Sequence, residues 1–134
     1  LPDSPQAALP TYNPVVMTKP LWLYEQAQQN PFSSTHLYWI DAGLGHTVPA
    51  ELLQAASFTR LAQSHQRFLL LCYPHDPQRE VHGFDATALA RLAGVERTRW
   101  VARGGFFGGA AAYIGQMAGR YSHHLEQTLE QGLI

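Results

Sequence analysis

Lysine and cysteine are nearly missing from this chain of 134 residues: Lys19 and Cys72 stand alone. A single cysteine cannot close an intrachain disulfide, so there is no disulfide framework and no oxidising-compartment signature. The other cations are scattered arginines, and the formal net charge is -1. That balance excludes an electrostatic nucleic-acid or membrane-surface binder. Charged residues make up only 14%, a low share that suits a piece packing its faces against further chain. No apolar run nears the ~18–20 residues that span a bilayer; the longest, residues 68–73, fits a buried strand. Also missing are HExxH and CxxC metal signatures, a Walker loop, a GxGxxG fingerprint, a nucleophile elbow and internal repeats. Seven histidines are present, but their spacing gives no ligand set, and the adjacent His123 and His124 diverge by ~100° on a helix. No signal peptide is visible and the chain starts at Leu1, so a trimmed or excised piece of a longer protein is expected.

What is present is an ordinary core composition, 46% apolar, and enough chain for one domain. Residues 1–12 read as a proline-rich lead-in. Asn13 and Pro14 read as a helix start, with apolar positions continuing to Gln29; Pro20 either kinks this helix or makes Thr18 its true N-cap. Asn30-Pro31 ends it. Residues 36–41 read as a strand, 49–62 as a helix and 67–73 as a second strand. Residues 74–84 read as a polar loop. A short helix, 86–93, is capped by Asp85 and stopped by Gly94. A third strand over 98–103 precedes a long helix, 110–131, ended by Gly132. Strands alternating with helices predict an α/β fold with a mostly parallel sheet covered on both faces. Ligands of such sheets sit beyond the carboxyl ends of strands. Asp41 lies at one such end, and Arg103 with Gly104 at another.

Those placements select the candidate residues. Asp41 can hold a divalent cation or cap a strand exit. Lys19 can meet phosphate as a point charge or sit solvated. The stretch Arg103-Gly104-Gly105-Phe106-Phe107-Gly108-Gly109 brackets two aromatics with glycine pairs. It reads either as a wall where backbone approaches a ring ligand, or as a turn with Phe106 and Phe107 in the core. His46, five residues past Asp41, is a possible substrate contact or an exposed side chain. His75 and Asp76 would suit a catalytic pair if they converge with His46, which would make the protein a hydrolase.

Three segments carry a resemblance. Tyr12-Asn13-Pro14-Val15-Val16-Met17-Thr18-Lys19-Pro20, Asn30-Pro31-Phe32 and Trp39-Ile40-Asp41-Ala42-Gly43 together resemble the bacterial HtrL/YibB group, which is similar to glycosyltransferases of the GT-A fold. Gly104-Gly105-Phe106-Phe107-Gly108-Gly109 also resembles the matching segment of blood-group-type galactosyl- and N-acetylgalactosaminyltransferases. The resemblance covers roughly residues 12–134. It implies a GT-A-like, three-layer α/β/α nucleotide-diphospho-sugar transferase, with residues 13–134 its central and C-terminal part. It places Asp41 at the first carboxylate of the metal-binding DxD motif, for Mn²⁺ or Mg²⁺; Gly43 stands at the second, leaving one ligand locally. It places Lys19, Arg103, Gly104, Gly105, Phe106 and Phe107 at the donor. It implies nucleobase-binding strands ahead of Leu1 and an acidic base or nucleophile beyond Ile134, so that this piece alone would be inactive.

The expected function is sugar transfer from a nucleotide-diphosphate donor to a glycan or glycolipid hydroxyl, in polysaccharide biosynthesis. The expected setting is the bacterial cytoplasm, at the inner membrane face, with no nucleic-acid partner. The competing expectation is a GT-A-like carbohydrate-binding or interaction module without catalysis.

Overall fold

The computed structural model describes residues 9–46, 49–51, 58–78 and 85–133, with backbone alone at 45 and 46. Its elements, in order, are α1 (Tyr12–Gln29), β1 (His36–Ile40), a 3-10 turn (Ala42–His46), α2 (Phe58–Ser64), β2 (Phe68–Pro74), α3 (Ala86–Leu92), β3 (Trp100–Ala110) and α4 (Ala111–Glu130). Among the described residues this is a mixed α/β chain with one three-stranded sheet, ordered β1-β3-β2. The middle of the predicted helix over 49–62 and the end of the predicted loop over 74–84 lie outside the described residues.

Helix ends follow local chemistry. Asn30 closes α1 in the left-handed region at φ 30, and its side chain pairs with both backbone groups of Ser34. Asp85 accepts from the backbone N–H groups of Thr87 and Ala88 at the start of α3. Gly94 and Gly132 take φ +65 and +63 just past α3 and α4. The start of α1 differs from the expectation: Thr11 is the N-cap, without a side-chain capping bond, and Asn13 lies inside the helix. Pro20 does not break α1 either. Thr18 is no cap; its hydroxyl donates to the Pro14 carbonyl at 2.6 Å within the helix.

The sheet overturns the parallel expectation. Both pairings are antiparallel, and β3 runs back between β1 and β2. The reason lies in the glycine-aromatic stretch, which forms no turn but extends β3 to 11 residues. Its second glycine pair makes the central position feasible. A Cβ on Gly108 would lie 2.3 Å from the Leu37 carbonyl oxygen of β1. A Cβ on Gly109 would lie 2.1 Å from the Arg67 carbonyl oxygen beside β2. Both take positive φ, +143 and +154, so only glycine fits on either side. The first pair has a different role. Between Leu70 and Cys72 the register against β3 jumps from Phe107 to Ala102, so β3 bulges through Arg103, Gly104, Gly105 and Phe106.

The core lies where α1 and α4 pack on one face of the sheet. Leu23, Phe107 and Ile114 are buried, flanked by Tyr24, Ala27, Leu37, Trp39 and Phe68. Ile114 is fully buried, a contribution of about 1.5–3 kcal/mol. The Tyr121 hydroxyl fastens the two helices by donating to the Met17 carbonyl at 2.7 Å. Alternation puts Tyr38 and Phe106 on the opposite face, stacked at 5.7 Å, with Phe58 of α2 against Tyr38. The expected cover on both faces does not extend beyond the start of β2: Leu70, Leu71 and Tyr73 are exposed among the described residues. No helix among them is long and apolar enough to cross a membrane.

Candidate functional site

Four segments meet at the end of β1. Strand alternation turns Trp39 toward the helices, and the chain leaves the sheet at Asp41. The Asp41 backbone N–H donates to the Gly105 carbonyl of β3 at 2.9 Å, and its carbonyl accepts from Leu44 in the 3-10 turn at 3.0 Å. From α1, the Lys19 ammonium grips both carboxylate oxygens, at 2.8 Å to Oδ1 and 2.7 Å to Oδ2. The Trp39 indole N–H also donates to Oδ1, at 2.6 Å. Trp39 is itself held between two rings, Trp22 of α1 at 5.9 Å and Phe107 of β3 at 6.1 Å.

The electrostatics follow from this geometry. The Lys19 side chain is 13% exposed and that of Asp41 32%. Burial pushes the Asp41 carboxyl upward, but the hydrogen bonds from Lys19 and Trp39 and the nearby ammonium charge prevail and hold it below its ordinary range. The carboxylate is therefore ionised at neutral pH, and the pair has no net charge.

The residues here do not fit a divalent cation. Gly43 offers no side chain, and the single carboxylate already binds an ammonium group. Among the described residues no three His, Cys, Asp or Glu side chains group to hold a metal. A cation would have to displace Lys19 and find its other ligands elsewhere.

The other predicted donor residues scatter. Gly105 joins the site through its carbonyl, and its Cα faces Leu44, whose Cδ1 lies 3.8 Å from where a Cβ would be. Gly104 has open space around it. Phe107 is 3% exposed and supports Trp39 from beneath. Phe106 lies on the other face, so the two aromatics do not form one wall. Arg103 sits within β3, not at a strand end. Its Nε donates to the Tyr73 hydroxyl and its guanidinium covers the Tyr73 ring at 4.6 Å. The His46 side chain lies outside the described residues. The His75 backbone N–H bonds the Arg99 carbonyl, and the Asp76 carboxylate accepts from the Gln78 N–H; these contacts hold a loop.

Sequence reasoning missed the pairing of Lys19 with Asp41 and the part played by Trp22 and Trp39. The available signal was scarcity: the only lysine stands three residues before one tryptophan, and the strand-end aspartate two residues after another. A mainly apolar groove of about 730 Å³ lies elsewhere, among Leu89, Val95, Trp100 and His124; it shares no residue with the cluster at Asp41. Protein-family models, curated proteins and solved structures give no match to this chain.

Proposed function

We propose that the chain is part of a GT-A-like glycosyltransferase that moves a sugar from a nucleotide-diphosphate donor to a glycan or glycolipid hydroxyl, at the cytoplasmic face of a bacterial membrane. The observation that carries this reading is the convergence of Lys19, Trp39, Asp41 and the Gly105 carbonyl at the end of β1. Three of the segments that resemble the transferases supply this one cluster.

Sugar transfer asks for positive charge to meet the departing diphosphate and for fixed polar groups to orient the donor. Arg103, on β3 with its Nε engaged by Tyr73, stands apart from this cluster; its terminal N–H groups would meet phosphate outside the Lys19–Asp41 pair. The Lys19–Asp41 pair is the fixed polar group. The cation expected at Asp41 enters no step here, since the residues present do not fit one.

The reading is tested by calorimetric titration of the chain and its full-length parent with UDP, GDP and CMP, in EDTA and in Mn²⁺, with Asp41→Ala alongside. Binding of one nucleotide, weakened in the variant, supports it. A folded protein that binds none overturns it. A second reading, a carbohydrate-binding module without catalysis, is favoured by one observation: Asp41 is neutralised by Lys19, and Gly43 stands in the second acidic position. It predicts glycan binding with no hydrolysis or transfer from any nucleotide-sugar.

A further inference from the structure

The geometry points to a neutral vicinal diol as the group bound by Lys19 and Asp41, without a divalent cation and with Trp22 as the shelf beneath it. The inference rests on the sugar-handling reading above and specifies what its central pair recognises.

Bonding capacity sets the ligand. An ammonium group has three donors and a carboxylate about four acceptor sites. Lys19 uses two donors on Asp41. Asp41 uses three acceptor sites: two on Oδ1, for Lys19 and Trp39, and one on Oδ2, for Lys19. One donor on Nζ and one acceptor site on Oδ2 remain, on atoms 2.7 Å apart. A gauche vicinal diol matches them. One hydroxyl accepts from Nζ and its neighbour donates to Oδ2, and the two hydroxyl oxygens are separated about as Nζ and Oδ2 are.

Charge argues against phosphate at the same point. The pair sums to zero, so a phosphate attracted by Lys19 is repelled by Asp41 at nearly equal distance. A neutral hydroxyl pair meets no such opposition. The ring on which a sugar could lie is also in place. Trp22 is one helical turn from Lys19 on the same face of α1. It remains 39% exposed after stacking on Trp39, and an aromatic ring so placed offers an apolar surface to the C–H face of a sugar.

A vicinal diol can come from the ribose of the nucleotide or from a hexose. The test is saturation-transfer NMR on the folded chain in EDTA and, for comparison, ligand-line broadening in Mn²⁺, with uridine, 2′-deoxyuridine, methyl α-D-galactopyranoside and UDP as separate probes. Saturable transfer to uridine but not to 2′-deoxyuridine supports the inference and assigns the ribose. Transfer to the galactoside supports it and assigns the hexose. Either signal should persist when salt is raised about tenfold, since no net charge is involved. Asp41→Asn and Trp22→Phe should each weaken it, the former about tenfold; the wild-type measurements stand even if a variant fails to fold. Equal transfer to uridine and 2′-deoxyuridine with none to the galactoside, or binding that requires Mn²⁺, overturns the inference. UDP binding with no diol dependence overturns it while leaving the transferase reading intact. No binding of any probe overturns the inference and leaves the transferase reading to the nucleotide titration.

Discussion

Replacing Gly109 by alanine should nearly dismantle the sheet, although it adds a single methyl group. The new Cβ would lie 2.1 Å from the Arg67 carbonyl oxygen and 3.0 Å from the Phe68 Cα, both backbone atoms. Relief needs a movement of about 1.4 Å, set against the ~3.5 Å at which non-bonded contacts are comfortable. Movement away from β2 drives β3 into β1, where Gly108 already approaches the Leu37 carbonyl too closely for any side chain. Overpacking costs about 1–3 kcal/mol, and a non-glycine residue at φ +154 adds about 1–3 kcal/mol. The sum, roughly 2–6 kcal/mol, is a large part of the ~5–15 kcal/mol that holds a domain. Gly104→Ala is the internal control. Nothing lies within 4 Å of its Cβ position, so the change should be neutral or stabilise by about 0.4–1 kcal/mol. Thermal unfolding followed by circular dichroism should separate the two variants by about 10 °C or more. If Gly109→Ala melts together with Gly104→Ala, the placement of β3 between two strands is refuted.

Asp41→Asn should cost about 1–3 kcal/mol, between the values for exposed and buried pairs, because Lys19 keeps a poorer partner in a half-buried place. The cost should also depend on pH. The Asp41 carboxyl is depressed in the folded state, so its contribution is complete above the unfolded value of about 4 and is lost as pH falls through the lower folded value. Urea titrations of both proteins should show a constant gap above about pH 5 that closes in acid; a gap that widens on acidification would refute the pairing. Asp85→Ala should destabilise by about 1 kcal/mol through loss of the α3 cap, and Asp85→Asn by less; equal stability of all three in the same titrations would show that the cap contributes nothing.

Local chemistry made the helices legible. Asn30, Asp85, Gly94 and Gly132 punctuate the chain where the sequence indicates, because capping and left-handed backbone need only near neighbours. β1 and β2 were legible as short apolar runs bounded by turn residues. The sheet's direction was not. Read alone, Gly104-Gly105 and Gly108-Gly109 look like turn residues, and only contact with β1 and β2 on both sides holds them extended. The site was half legible. Asp41 and Lys19 stand out as a strand-end carboxylate and the only lysine, but their union spans 22 positions and depends on α1 crossing the sheet. Arg103 and Phe106 were assigned to that site by an expected strand end and by resemblance to the transferases; a bulge and strand alternation carry them elsewhere.

The only lysine also offers the most direct measurement of the central claim, that Lys19 and Asp41 together form the ligand site. Acetylation by an N-hydroxysuccinimide ester, followed by mass spectrometry, reads one side-chain amine, with the α-amino group as an internal reference. Modification of Lys19 should be slow in the wild-type chain, faster in Asp41→Asn, and slower still in the wild type with a nucleotide-sugar in EDTA. A Lys19 that reacts as freely as in Asp41→Asn, and at one rate with or without every nucleotide-sugar tried, would contradict that claim.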